Sequence, residues 1–358
     1  MYFVSFFTSQ KGGWRMEKVK VIIYGVGAMG SGAVRLLAGK EWVQIVGAIG
    51  HKRNIGKDIG EVAGIGRKLG VIISDNPGQV FGSTKADICL HATGFTTEED
   101  VFGQILMALD AGCNVISMVD TRLFYPWEHW PEQGRRIDEA ARKNGVTFLE
   151  TGVNPGFTMD QMPLLYTGIC GAIEKITVKE AADMDPFGTD VLQYLHIGLP
   201  LDVFNEKLAD SSEYYAAAKP FDARVDMIAD ALGWKLDEVK VTVEPIVSEK
   251  RKVTRFNFVI EPGIVCGIRQ MYRGKMNGRV AVETDWILTV FPEEDGIQTG
   301  NFITIDGDPS MKITISGLTE KGDVVTYARF VNCIPQVLQA KPGLATVMDL
   351  PVSTLLKP

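Results

Sequence analysis

The sequence predicts an α/β protein in two parts: an N-terminal, doubly wound parallel sheet with helices on both faces, and a C-terminal α+β part whose sheet is mainly antiparallel. Three observations carry that prediction. From Val19 to about Glu150, short β-branched runs alternate with longer stretches of helical period, the pattern of βαβ units. The strand runs in that region are continuously apolar, as strands covered on both faces are. After Asn154-Pro155-Gly156 the rhythm changes to longer alternating segments, as in a sheet with one open face.

In chain order, Val19–Tyr24 reads as a strand and Ala28–Gly39 as a helix. Strands follow at Val43–Ile49, Ala86–His91, Asn114–Ser117 and Thr147–Glu150, with helices at Glu98–Ala111 and Gly134–Lys143. The second part reads as strands at Lys175–Glu180, Lys240–Val247, Phe256–Ile260, Arg279–Val290 and Lys312–Ser316. Helical patterns lie at Leu201–Ala209, Asp222–Leu232 and Val324–Ala340, the last ending near Pro342-Gly343. These elements divide the chain into an extension (1–18), a parallel-sheet domain (19–152), an α+β substrate and oligomerisation domain (153–325) and a C-terminal helix and tail (326–358) that can return to the first domain.

Composition agrees with a two-domain chain. Its 358 residues exceed the size at which single cores stop growing, and 46% apolar with 23% charged residues is ordinary for a globular protein. The net charge of −7 and the lack of a Lys/Arg block argue against nucleic acid or a membrane surface as partner. No apolar run approaches the roughly 18–20 residues that span a bilayer. The expectation is a soluble, cytoplasmic protein, and the five scattered cysteines, without a C-x-x-C pair, fit reduced thiols. None of the four histidines is spaced with other ligand types, so no metal site is expected. Residues 1–15 lack the basic start and the cleavage site of a signal peptide.

Gly25-Val26-Gly27-Ala28-Met29-Gly30 is a G-x-G-x-x-G placed directly after a strand and opening a helix. The first glycine permits the turn, the second lets backbone approach a pyrophosphate, and the third allows close helix–strand packing. The free N–H groups of the helix start then face the phosphates. This context predicts a Rossmann domain that binds a nicotinamide dinucleotide through Gly25, Gly27, Ala28, Met29 and Gly30.

The end of the second strand carries no acid for a ribose 2′-hydroxyl; it reads Gly50-His51-Lys52-Arg53. Small Gly50 leaves room for a 2′-phosphate that Arg53, with Lys52 or His51, can pair, which favours NADP over NAD; a solvated basic turn is the other reading. His91-Ala92-Thr93 ends another strand at the ligand-binding sheet edge, which puts Ala92 and Thr93 near the nicotinamide ribose. His91 itself reads as a buried histidine hydrogen-bonded to backbone.

Further strings join the fingerprint: Tyr125-Pro126-Trp127, Thr151-Gly152-Val153-Asn154-Pro155-Gly156-Phe157, Pro186-Phe187-Gly188, Met227 to Trp234, and Asn332 to Pro351. Together they resemble the 2,4-diaminopentanoate dehydrogenases and related amine dehydrogenases, themselves similar in fold to dihydrodipicolinate reductase, over nearly the whole chain. The resemblance implies NAD(P)-linked oxidative deamination of an amine to a ketone, reversible as reductive amination, with substrate between the domains and a homodimer as the usual assembly. It also adds Asn332 to the cofactor-binding set. The paired-histidine stretch and lysine-bearing loop of dihydrodipicolinate reductase are absent. Where the family pattern carries two neighbouring acids before Tyr-Pro-Trp, this chain has Asp120-Thr121-Arg122, and Ala182 and Asp185 stand where it carries an asparagine and a serine.

Asp120 follows the strand Asn114–Ser117 at the sheet edge, a position suited to a general base that holds an ammonium and positions water. A turn cap is its other reading. Asn154 is read as a cofactor or substrate contact, with a purely structural turn as its other reading, Thr158 as a cap for the helix that follows, and Tyr125 and Trp127 as pocket linings or as core aromatics. Arg269, Arg273 and Lys275 read equally well as a carboxylate-recognising group and as a charged strand face. A reductase of another C=N or C=O substrate, and a non-catalytic NAD(P)-binding sensor, remain open alternatives.

Overall fold

The computed structural model describes residues 7–10, 13–16, 18–94, 98–119, 121–209 and 221–355. The chain forms two compact units, residues 1–156 with 323–358, and residues 157–322.

The first unit holds a seven-stranded, wholly parallel sheet. Its strands are β3 (Val19–Tyr24), β4 (Val43–Ile49), β5 (Ile73–Ser74), β6 (Ile88–His91), β7 (Asn114–Ser117), β8 (Thr147–Glu150) and β17 (Gly343–Ala345). The spatial order is β17-β8-β7-β6-β3-β4-β5, so the chain starts at the middle, winds one way through β4 and β5, and returns through β6. The switch point therefore falls between β3 and β6, where doubly wound sheets open a crevice at their strand ends. Residues 7–10 and 13–16, read as part of an extension, pair as a short antiparallel hairpin, β1–β2.

Helices α1 (Ala28–Leu37), α2 (Ile59–Ala63), α3 (Pro77–Ser83), α4 (Glu98–Asp110) and α5 (Pro131–Asn144) complete the N-terminal winding. Ile22, Cys89, Val115 and Phe148 from the strands meet Ile105, Leu109 and Ile137 from α4 and α5 in one buried cluster. Each such side chain, removed from water, contributes roughly 1.5–3 kcal/mol. Pro131 starts α5 and Gly145, at φ 68°, ends it in the left-handed cap that glycine takes without strain. The single C-terminal helix read from the sequence is two, α10 (Gly322–Asn332) and α11 (Ile334–Gln339). Pro335, with no N–H to donate, sits in the first turn of α11, where its lack is harmless.

The second unit is a six-stranded mixed sheet of order β10-β13-β14-β9-β15-β16. The strands are β9 (Ala172–Asp183), β10 (Glu238–Val247), β13 (Val265–Met276), β14 (Arg279–Thr289), β15 (Gly300–Asp308) and β16 (Met311–Ile315), with α6 (Gln161–Thr167), α7 (Thr189–Tyr194), α8 (Leu201–Ala209) and α9 (Ala223–Ala231). All pairings are antiparallel except β14 with β9. The stretch Phe256–Ile260 is mostly a turn; only Val259–Ile260 pairs, with Lys252–Val253, as the β11–β12 hairpin. Arg269 and Asp285 bond doubly across β13 and β14, at 2.8 Å each, and Arg273 pairs Glu283 at 3.2 Å. The three cations of β13 thus form charge ladders, with Lys275 held by Glu238. Among the described residues no helix is long and apolar enough to cross a membrane.

Candidate functional site

The fingerprint turn joins β3 to α1 at the switch point. Gly25 has φ +102°, and a Cβ there would lie 2.3 Å from the Ala92 carbonyl oxygen. A Cβ on Gly30 would lie 1.9 Å from the Gly25 carbonyl oxygen. Both positions accept only glycine, the first also for its backbone angle. Gly27 is different: nothing lies within 4 Å of a Cβ built on it. It is the N-cap of α1, yet no side chain caps that helix and no acid occupies its first turn. An uncapped helix start facing open space is what a pyrophosphate needs, so these residues fit a dinucleotide.

Backbone bonds gather the neighbouring strand ends around this turn. Gly25 N–H donates to Ile49 at 2.8 Å, Ala92 N–H to Tyr24 at 2.7 Å, and Thr151 N–H to Ser117 at 2.9 Å. The fingerprint and Ala92–Thr93 are thereby brought together, and the segment carrying Asn154 follows from the end of β8 beside β7. Within that segment Gly152 N–H donates to the Pro155 carbonyl at 2.8 Å, and Asn154 is half-buried. Burial pushes the Tyr24 hydroxyl up to about 12, with Cys89 adding to the shift, so it stays protonated beside the turn.

His51, Lys52 and Arg53 are all exposed on the turn after β4. The part read for Gly50 is corrected: a Cβ there would lie 2.7 Å from Ile73 Cγ2, so its small size accommodates β5 and not a phosphate. His91 is fully buried, as read, and its ring lies within hydrogen-bond distance of two side chains, with Nδ1 at 3.2 Å from Ser117 Oγ and Nε2 at 2.9 Å from Gln104 Oε1.

Asp120 lies outside the described residues, between buried Val119 and the single turn Thr121–Leu123. Tyr125 is half-buried and Trp127 is 38% exposed, while Pro126 packs on α5, 2.6 Å from where a Gly134 Cβ would sit. From α10, Tyr327 covers Gly32 of α1 so closely that a Cβ there would be 2.3 Å away, and Thr326 faces Gly152. Asn332 stands six residues beyond Thr326, about 9 Å along the helix axis. Gln104, Ser117, Thr326 and Tyr327 escaped sequence reasoning because no motif spacing connects them.

In the second unit, fully buried Arg224 on α9 is ringed by Phe221, Tyr272 and Trp286 at 4.8–5.4 Å from their centroids. Burial lowers its pKa, and Tyr272, Asp160 and Glu180 oppose that shift. Glu180 accepts bonds from Thr158 Oγ1 at 2.8 Å, Trp286 Nε1 at 3.0 Å and Asn301 Nδ2 at 2.5 Å. A buried carboxylate this well bonded repays part of its desolvation. Thr158 therefore serves Glu180, and the cap of α6 is Asp160, which accepts Gln161 N–H at 2.6 Å. Asp185 is spent on Arg255, at 2.8 Å.

The comparisons agree with this architecture. Residues 157–357 match the model of the 2,4-diaminopentanoate dehydrogenase C-terminal domain, and residues 19–118 that of the dihydrodipicolinate reductase N-terminus. The chain belongs to the 2,4-diaminopentanoate dehydrogenase family. It is 34% identical to a 2,4-diaminopentanoate dehydrogenase of Acetoanaerobium sticklandii over 94% of each chain. An amine dehydrogenase of Streptomyces virginiae is 24% identical over 93% of this chain and 96% of that one. The structure of an amine dehydrogenase from Mycobacterium smegmatis superposes with a TM-score of 0.81 at 26% identity, over 94% of this chain and 97% of that one. This family member is an NAD(P)-dependent oxidoreductase acting on an amine.

Proposed function

We propose that this chain interconverts a small aliphatic amine and the matching ketone, with NADP(H) as the preferred cofactor and Asp120 as the general base. The observation that supports this reading most is the open, uncapped start of α1 beside the gathered ends of β6, β7 and β8, in a chain of this family. The nicotinamide, when bound, takes a hydride from the amine-bearing carbon. The remaining work belongs to the chain. Asp120 holds the substrate ammonium, accepts its proton, and then directs water onto the imine carbon, so that ammonia leaves and a ketone remains. Gly25, Gly27, Ala28, Met29 and Gly30 hold the pyrophosphate, and Ala92, Thr93, Asn154 and Asn332 complete the cofactor contacts. Tyr125 and Trp127 line the substrate side. Arg53, with His51 and Lys52, receives the 2′-phosphate, and the protein works as a cytoplasmic homodimer.

The test is NADPH oxidation with a panel of ketones, including the ketone of 2,4-diaminopentanoate, in the presence and absence of ammonium. Turnover that requires ammonium supports the reading. Equal turnover without ammonium makes the protein a carbonyl reductase, and cofactor binding with no turnover on any substrate makes it a sensor.

A further inference from the structure

His91 and Ser117 are register partners at the ends of the adjacent parallel strands β6 and β7, and both side chains are fully buried. A β-branched apolar residue would fill such a position at lower desolvation cost, since a buried imidazole must have its polar atoms satisfied. Here they are satisfied in two directions. Nε2 lies 2.9 Å from Gln104 Oε1 and 3.3 Å from Thr93 Oγ1, and the Thr93 hydroxyl itself donates to Gln104 Oε1 at 3.0 Å. Nδ1 lies 3.2 Å from Ser117 Oγ, which accepts the Val119 N–H at 3.2 Å.

The donor and acceptor roles form one consistent chain. A carbonyl oxygen only accepts, so with Oε1 of Gln104 facing the ring, the assignment that satisfies these contacts puts the proton on Nε2. Nδ1 is then bare and accepts the Ser117 hydroxyl, whose lone pair remains for Val119 N–H. One arm ends on Thr93, directly after Ala92, whose carbonyl packs on Gly25 of the fingerprint turn. The other ends on Val119, the residue before Asp120 in the sequence.

We propose that His91 is a positioning residue that orients the cofactor-side loop through Thr93 and the turn after β7 through Ser117, so that the two are set by one ring. This rests on the reading above that Thr93 faces the cofactor and Asp120 is the base. A purely structural role for the ring, such as its edge contact with Tyr24 at 5.4 Å, would not distinguish the two arms.

Two substitutions separate them. Asn places its amide where Nδ1 stands and Gln places its amide where Nε2 stands; an amide can present a donor or an acceptor, so either choice holds whichever nitrogen carries the proton. His91→Asn keeps the Ser117 arm and loses the Thr93 arm. His91→Gln does the reverse. The expected result is a split: in His91→Asn the cofactor dissociation constant, titrated directly, rises about tenfold and by more than kcat falls, as for loss of one hydrogen bond. In His91→Gln kcat falls about tenfold or more and the dissociation constant moves less. Parallel losses in both variants that track their melting temperatures overturn the proposal. Should either variant fail to fold, Ser117→Ala carries the test, since kcat must fall with cofactor affinity kept; unchanged kcat overturns it. Failure of the base assignment is visible separately, as full activity in Asp120→Asn, and the cofactor titration of His91→Asn then decides the Thr93 arm by itself.

Discussion

Gly25 and Ala92 meet backbone to backbone: a Cβ on Gly25 would lie 2.3 Å from the Ala92 carbonyl oxygen. The contact joins the ends of β3 and β6 at the point where the sheet reverses its winding, and it leaves Gly27, two residues on, in open space. The two glycines therefore answer to different demands. Gly25→Ala forces the loop off Ala92 and strains a backbone angle of +102°, so both melting temperature and cofactor affinity are expected to fall. Gly27→Ala meets no protein atom, and its melting temperature without cofactor should stay within a degree or two while affinity falls about tenfold or more. Thermal unfolding with and without NADP(H) reads both; equal behaviour of the two variants would contradict this division.

The cofactor preference is tested on the turn after β4. A guanidinium on a 2′-phosphate is a charge-assisted contact worth roughly 1.5–3 kcal/mol, or about tenfold to a hundredfold. Arg53→Ala should lower NADP(H) affinity by that factor while NAD(H) affinity moves far less. Titration of both cofactors decides it, and a ratio left untouched by the substitution removes Arg53 from the site.

Further along the same connection, Asp58 N-caps α2. Its buried carboxylate accepts Gly60, Leu69 and Gly70 N–H groups at 2.8, 2.9 and 2.7 Å, pinning the loop that leads to β5. Burial works to raise its pKa, but the bonds from Leu69, Gly60 and Gly70 outweigh it and hold the group below its ordinary value. A folded-state pKa that is depressed gives stability that is fully present above the unfolded value, about 3.9, and lost as pH falls through the folded one. Asp58→Asn is therefore expected to cost roughly 1–3 kcal/mol between about pH 5 and 8, with the gap to the unsubstituted protein closing in more acid solution. Urea unfolding across that range measures it, and a gap independent of pH would show that the charge is not what matters.

Where the sequence carries a period or a glycine pattern, the fold was legible. β3, β4, β7 and β8 have the bounds that their apolar runs predict, and the fingerprint glycines sit where their spacing requires. Of β13 only the charged face of Arg269, Arg273 and Lys275 was read and not its bounds, and the cause lies in its packing. Gly267 and Gly274 interrupt its alternation, and each is demanded by a neighbour, with a Cβ at 2.3 Å from Thr289 Cβ and 2.7 Å from Leu236 Cδ1 respectively. β15 begins with Gly300 and Asn301, polar by sequence, yet Asn301 is fully buried against Glu180, a partner 121 residues away. β5, only two residues long, has no period to detect. The same limit applies to the site. His91 was visible as a lone histidine at a strand end, but Gln104 and Ser117, 13 and 26 residues along the chain, become its partners only when α4 and β7 are folded beside β6.

The chemical reading depends most on Asp120. If its carboxylate holds the ammonium and directs water onto the imine, Asp120→Asn keeps the shape and removes both charge and basicity. General acid–base help is typically worth about 10²–10⁴ in rate, so kcat in both directions should fall within that range while the cofactor still binds. A cap at the turn before Thr121–Leu123 makes the opposite demand, since Asn caps as well as Asp and would leave both melting temperature and turnover as they were. The two roles also differ in acid: with a catalytic carboxylate, the amine-oxidising rate of the unsubstituted enzyme declines as that group is protonated, and the Asn variant loses this limb of the profile. Measuring kcat against pH for both proteins, beside their melting temperatures, separates the base from the cap. An Asn variant with full activity and an unchanged acid limb would move the proton chemistry to another residue of this sheet edge.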